Sequence, residues 1–157
     1  MSYTINVKGR LMDLGSPVVM GILNVTPDSF YSGSRKQSEQ EIADRVNAII
    51  NEGGEIIDVG AFSTRPGAKY VTEQEEMERL RYGLQIVYRE QPDAVVSIDT
   101  FRPEVARMAV EEFGADIIND VSGGNINGAF GGADSAVTKD DDYPEMFRMA
   151  AQLGTPY

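Results

Sequence analysis

The sequence predicts an α/β protein built on a parallel β-sheet. Three observations predict it. Apolar runs with little alternation, such as "PVVMGILNV", read as strands covered on both faces. Between them lie stretches with apolar residues at helical spacing. Strand, loop and helix then alternate along the chain, which is the pattern of βαβ units. Alternation alone does not separate an open, doubly wound sheet from a closed barrel.

The elements follow in order. "YTINV" and "RLMDL" flank Lys8-Gly9 and predict a short hairpin within residues 1–16. "PVVMGILNV" is the first long strand. Ser38 and Glu41 have capping-box spacing, and Ile42, Val46, Ile49 and Ile50 recur at helical spacing. Gly53-Gly54 stops that helix. "EIIDVG" is the next strand and "AFSTRPGAKYV" a loop. Thr72 and Glu75 form a second capping-box pair ahead of the stripe Met77, Leu80, Leu84, Val87 and Tyr88, with Pro92 just past its end. After the strand "AVVSIDT", Pro103 suits a first helical position. Ala106, Ala109, Val110 and Phe113 form its apolar stripe, and Gly114 ends the helix. "ADIINDVSG" is the fourth strand of the series. The Gly-, Asn- and Asp-rich segment 125–142 reads as a flexible loop, and it carries no phosphate-loop or dinucleotide glycine motif. Met146, Phe147, Ala150 and Leu153 mark a last helix over 143–154. The expected organisation is one domain over residues 1–157, with 17–124 carrying the four strand ends.

Composition narrows the function. The 157 residues suffice for one domain with a core. Fourteen Lys+Arg face 25 Asp+Glu, a formal net charge of −11. That balance argues against nucleic acid and anionic membranes, which require basic clusters. The longest acidic run, Asp140-Asp141-Asp142, reads as a solvated loop. The absence of cysteine excludes disulfides, thiolate nucleophiles and Cys-ligated zinc. The absence of histidine removes the Ser-His-Asp triad and the commonest general base. "MSYTINVKGR" has no apolar signal-peptide core, and no apolar run approaches the ~20 residues of a membrane span. A cytoplasmic protein is expected.

Four strands end alike. "GILNV", "EIIDV", "VVSID" and "DIIND" each run apolar and then meet Asn24, Asp58, Asp99 or Asn119, with Asp120 beside the last. The carboxyl end of a parallel sheet is where α/β proteins bind ligands. Amides donate and accept while ionised carboxylates only accept, so the set suits a flat, hydrogen-bonding ring such as a 2-amino-pyrimidinone. The competing reading is that such residues cap the next helix or start its turn. Asp58 is the weakest of the four, and bracing loop backbone is its alternative role. In "NVTPDSF", Pro27 holds Thr26 extended, and Asp28 and Ser29 are turn residues. Phe30 either packs under its own loop or meets a ligand ring. In "STRPG", two hydroxyls and a guanidinium make an anion site, or else a plain surface turn. Asn24-Val25-Thr26 also spells a glycosylation sequon, which the following proline and the predicted buried strand argue against.

"MGILNVTPDSF", "IIDVGAFSTRPGA", "SIDTFRPEVA" and "GADIINDVSGG", in order from Pro17 to Gly124, resemble the dihydropteroate synthase family of folate biosynthesis. The resemblance implies a (β/α)8 barrel of the TIM-barrel class, of which this chain holds about the first four βα units. It implies condensation of p-aminobenzoate with 6-hydroxymethyl-7,8-dihydropterin pyrophosphate, with magnesium assisting the departure of pyrophosphate. By motif position, Asn24 would face the diphosphate and Mg2+, Thr64 would line the site, and Asp99 and Asn119 would bind the pterin edge. Asp28 and Phe30 on the first loop, with Ser63, Arg65 and Pro66 on the second, would close over p-aminobenzoate. Phe30 and Pro66 become candidate positions for altered sulfonamide sensitivity.

Two departures stand out. Phe62 occupies a position that is acidic in many members, and it is expected to tune the second loop. A full barrel takes about 250 residues, whereas this sequence runs to Tyr157 without the family's later motifs. The expectation is therefore an N-terminal half, inactive alone, that associates as a homodimer or higher oligomer to cover open strand edges. The alternatives are a non-catalytic half-barrel that binds pterin weakly or only self-associates, and a methyltetrahydrofolate-binding methyltransferase domain. The "NVTPDSF" and "STRPG" loops argue against the last, whose substrate has no pyrophosphate.

Overall fold

The computed structural model describes residues 3–25, 35–62, 71–124 and 144–157. Strands β1 (Thr4–Val7) and β2 (Arg10–Asp13) form the hairpin. Then come β3 (Met20–Asn24), α1 (Arg35–Asn51), β4 (Ile56–Gly60), α2 (Glu73–Glu90), β5 (Val95–Asp99), α3 (Pro103–Phe113), β6 (Ile117–Asn119) and α4 (Glu145–Leu153). The segment 125–142 lies outside the described residues.

The hairpin turns where expected. Lys8 and Gly9 have φ of 49° and 76°, the positive signs that a type I′ turn demands of both central residues. The four long-run strands pair in parallel in the order β3-β4-β5-β6. Beyond α4 the chain returns to this sheet, since Ile118 donates its N–H to Pro156 O at 2.8 Å.

Successive residues of a strand point to opposite faces, so the register separates two surfaces. Leu23, Val25, Ile57, Val59, Val96 and Ile98 point to one face and join one buried cluster. That cluster takes Ile42, Val46 and Ile49 from α1, Leu80, Leu84 and Val87 from α2, and Val105, Met108 and Ala109 from α3. Met146 and Ala150 of α4 pack beside it on Ala106 and Ile118. All three crossover helices therefore cover the same face. A doubly wound sheet needs helices on both, so the structure answers the question that alternation left open. The other face carries Met20, Ile22 and Asn24, then Asp58 and Gly60, then Ser97 and Asp99, then Asn119.

The helix ends follow their signals with one exception. Thr72 caps α2, its hydroxyl accepting the Glu75 N–H at 3.2 Å. The reciprocal half of that capping box is replaced, because the Glu75 carboxylate pairs forward with Arg79. Gly53 (φ 95°) ends α1 with Gly54 N–H on Ile49 O at 2.8 Å and Gly53 N–H on Ile50 O at 3.0 Å. These are the two bonds of a Schellman stop. The exception is Ser38. Helix α1 begins a turn earlier, at Arg35, so Ser38 is a buried helical residue and not an N-cap. Arg, Lys and Gln are good helix formers, and nothing at 35–37 stops the helix from extending back through them.

At the amino end of the sheet, Lys8 Nζ lies 3.3 Å from Asp116 Oδ2 and 5.3 Å above the Tyr88 ring. Asp116 also accepts the Val96 N–H at 2.9 Å. The hairpin is thereby pinned to the end opposite the polar strand termini.

Close approach constrains Gly21. A Cβ there would stand 2.4 Å from Cγ2 of the buried Ile49, so α1 sits directly on the β3 backbone. Gly21→Ala is expected to lower unfolding free energy by about 1–3 kcal/mol. In an Ile49→Ala background its added effect should fall to near zero. Urea denaturation of the four variants checks this, and an equal effect in both backgrounds would refute the contact.

Candidate functional site

Parallel register sets the strand ends in one row. Asn24 pairs with Gly60, Gly60 with Asp99, and Asp99 with Asn119. One step toward the amino end, Ile22, Asp58, Ser97 and Ile117 form the next row on the same face. The upper row is the rim; in the row below it the polar groups are Asp58 and Ser97, flanked by Ile22 and Ile117.

The rim residues differ in setting. Asn24 is exposed, beside a groove of about 450 Å³ lined by Ile22, Glu41 and Arg45. Arg45 Nε donates to Ile22 O at 3.3 Å and so occupies a carbonyl on the β3 edge. Gly60 contributes no side chain, and a Cβ there would stand 3.2 Å from Asp99 Oδ2. Burial pushes the Asp99 carboxyl up to about 6, helped by the charges of Asp58, Glu76 and Asp120. Asn119 donates its Nδ2 to Asp58 Oδ2 at 3.0 Å.

Among the described residues, three of the four strand ends do not cap a helix. The helices after β4, β5 and β6 take Thr72, Arg102 and Pro144 as their N-caps, not Asp58, Asp99 or Asn119. Among the described residues, Asp58 is bonded to the Asn119 side chain and not to loop backbone. Asp120 does bond loop backbone. Its carboxylate accepts Ser122 N–H at 2.8 Å, Gly124 N–H at 2.9 Å and the Tyr157 hydroxyl at 3.1 Å.

Asp28 and Phe30 of the first loop, and Ser63, Thr64, Arg65 and Pro66 of the second, lie outside the described residues. The second loop's two stems are described, and buried arginines hold both. Arg79 Nη1 donates to Ala61 O at 3.2 Å, and Arg102 Nη2 donates to Val71 O at 2.7 Å. Arg102 also pairs with Glu76, which has no exposed surface and accepts the Thr100 hydroxyl at 2.7 Å. Burial pushes the Glu76 carboxyl up, against the pull of Thr100 and Arg102. Phe62 meets Phe101 edge-on at 5.0 Å, and the Arg102 guanidinium lies 5.3 Å from the Phe62 ring and 4.9 Å from Phe101. An aromatic residue at 62 is thus accommodated by stacking against a cation.

Sequence reasoning missed Ser97, Gly60 and the Glu76–Thr100–Arg102 cluster. Ser97 had a signal, a lone hydroxyl in the apolar run "VVSID". Glu76 had none, lying within the acidic string "EQEEME".

The family model described as "Pterin binding enzyme" matches residues 20–157. The chain belongs to the pterin binding enzyme family. A dihydropteroate synthase of Streptococcus pyogenes serotype M18 is 39% identical over 148 residues, which is 94% of this chain and 49% of that protein. A solved Xanthomonas albilineans dihydropteroate synthase with 4-aminobenzoic acid aligns at a TM-score of 0.75 and 33% identity, over 99% of this chain and 50% of the other. The Anaplasma phagocytophilum enzyme with bound 6-hydroxymethylpterin-monophosphate aligns at a TM-score of 0.62 and 36% identity, over 72% and 43%. The chain spans about half the length of the dihydropteroate synthases it matches. Its single-faced parallel sheet is a segment of their TIM barrel. Among the described residues, no helix is long and apolar enough to cross a membrane, and no three acidic groups cluster as a metal site.

Asp99 supplies a pH test. Its folded value lies above the ordinary 3.8, so the folded chain binds the extra proton. Stability from this group is therefore lost as pH rises from about 4 to about 6. The Asp99 carboxyl carbon should titrate with a midpoint near 6 by NMR, and Asp58→Asn should lower that midpoint by removing a neighbouring negative charge. A midpoint near 4 in the unaltered chain would contradict the geometry.

Proposed function

We propose that this chain supplies the pterin-gripping side of a dihydropteroate synthase. The observation that carries the reading is the rim row of Asn24, Gly60, Asp99 and Asn119, which sets the hydrogen-bonding groups of Asn24, Asp99 and Asn119 on one edge, with the Asp99 carboxylate lying against Gly60. The 4-aminobenzoic acid of the Xanthomonas enzyme and the 6-hydroxymethylpterin-monophosphate of the Anaplasma enzyme support the proposed substrate pair, p-aminobenzoate and 6-hydroxymethyl-7,8-dihydropterin pyrophosphate. In the reaction, the bond between the pterin methylene carbon and the pyrophosphate oxygen breaks. The p-aminobenzoate nitrogen bonds to that carbon, loses a proton, and pyrophosphate leaves.

In this reading Asp99 and Asn119 hold the pterin edge, and ionised Asp99 accepts N–H bonds from it. Thr64 lines the same site. Asp28, Phe30, Ser63, Arg65 and Pro66 are the proposed p-aminobenzoate contacts, and Arg79 and Arg102 keep the stems of the second loop, which carries the last three, in place. Catalysis then rests on positioning and on charge placed at the leaving group, which suits a chain with neither histidine nor cysteine.

Magnesium belongs to the same proposal. Asn24 is exposed at the rim and offers one amide oxygen. A single protein oxygen suits Mg2+, which keeps waters and takes further ligands from phosphates. When bound, the ion would neutralise charge on the departing pyrophosphate.

Pyrophosphate release, assayed with both substrates and magnesium, tests the reading. The four described strands supply one side of the barrel mouth. The 157-residue chain alone should therefore show no turnover, and a longer protein joining it to the remaining strands of a relative should be active. Activity in the chain alone, or none in the longer protein, would overturn the proposal.

A homodimer or higher oligomer of this chain is the second part of the proposal. Met20 and Ile22 are 39% and 59% exposed on the uncovered face, with Val19 beside them at 61%. Contact with a second copy would bury this apolar edge. Light scattering at high concentration should report an assembly larger than one chain, and a monodisperse monomer would count against it.

A further inference from the structure

We propose that Asp58 is a positioning residue: by holding Nδ2 of Asn119 it turns the Asn119 carbonyl oxygen toward the ligand, so that this part of the pocket accepts N–H donors. The inference rests on the pterin reading of the site and deepens it.

The contact is Asn119 Nδ2 to Asp58 Oδ2, at 3.0 Å. The two ends of an amide are hard to tell apart by shape, but here the partner decides. An ionised carboxylate offers no proton, so only the NH2 end can face it. The oxygen, on the other side of the amide carbon, is left for the pocket. In register, Asn119 sits next to Asp99. The neighbouring groups are then a carbonyl oxygen and a carboxylate, both acceptors when Asp99 is ionised. Such a pair favours a ligand edge bearing adjacent N–H groups and disfavours one bearing lone pairs. With Asn119 free to turn over, that preference would be lost.

A structural explanation of Asp58 is weaker. The side chain is 5% exposed, on a strand otherwise made of Ile, Val and Gly. Its Oδ1 has no partner among the described residues, nor does Oγ of Ser97, its register neighbour on β5. A buried carboxylate oxygen left unsatisfied is destabilising, so stability alone does not account for an aspartate here. The Asp58 charge also helps push Asp99 up, as do Glu76 from α2 and Asp120 after β6. Asp58 thus acts on both groups that would touch the pterin, although its own exposed surface is small.

The test uses the 15N-labelled chain, free and with 6-hydroxymethylpterin monophosphate. In the unaltered chain the two Asn119 side-chain amide protons should be well separated, with one protected from exchange. In Asp58→Ala they should collapse toward the values of a free amide, and affinity for the probe should fall about tenfold. The isosteric Asp58→Asn can still accept the bond. It should keep most of the amide signature and stay within about threefold of the original affinity. Unchanged Asn119 signals in Asp58→Ala would overturn the positioning role. Changed signals with unchanged affinity would reduce Asp58 to a strap across the sheet, and would overturn it too. Failure of the unaltered chain to bind the probe would sink the pterin reading, while the amide signals would still decide the orientation of Asn119.

Discussion

The unbroken parallel register of β3 to β6 is the constraint on which the rest depends. Parallel strands end on the same side, and side chains alternate with a period of two. Once Leu23, Ile57, Val59 and Ile98 are committed to the helices, Asn24, Asp58, Asp99 and Asn119 must share the opposite face. A slip of one residue in any strand would drive a carboxylate or amide into the apolar layer. The apolar pattern therefore specifies the site without containing any of it.

Curvature is the second requirement. Asp58 and Asn119 lie on β4 and β6, with β5 between them. In a flat sheet those strands stand roughly 9–10 Å apart, yet the side-chain tips meet at 3.0 Å. The sheet curls toward its polar face, away from the helices. Helices on one side and concavity on the other are what let a few short side chains converge. The charged groups beneath are unequal in support. Burial pushes both carboxyls up, but Glu76 is matched by Arg102 and Thr100 in a closed set of bonds, whereas the charged neighbours of Asp99 are negative and add to its rise. The supported group fixes a loop stem, and the strained one faces the pocket.

Much of this was legible in the sequence, for physical reasons that can be named. Lys8-Gly9, the Thr72 cap, Pro103 and the glycines after α1 and α3 are local signals, decided within one turn of chain. The inward stripes of α1, α2 and α3 follow from period alone. Ser38 misled because a capping pattern is also a permissible mid-helix pattern, and only the start at Arg35 tells them apart. Helix sidedness was invisible because alternation does not encode which face a crossover covers. The Asp58–Asn119 bond spans 61 positions and the Glu76–Arg102 pair spans 26. Neither leaves a local trace. Asp58 looked weakest because "DVGAF" runs on some way before the loop proper, and its real neighbour arrives two strands later.

The strand order has a consequence for synthesis. Each long strand pairs with the one before it, so β3-β4-β5-β6 is also the order in which they leave the ribosome. Within β3 to β6 each new strand finds its partner in the one just made, so loop closure there is confined to one βα unit at a time. The growing edge presents a finished template to each new strand, and the Ile118 to Pro156 bond shows β6 already serving as one. Assembly can then run vectorially, with the polar rim built up one group per unit, and Asn24 is oriented before the residues that complete the pocket have been translated.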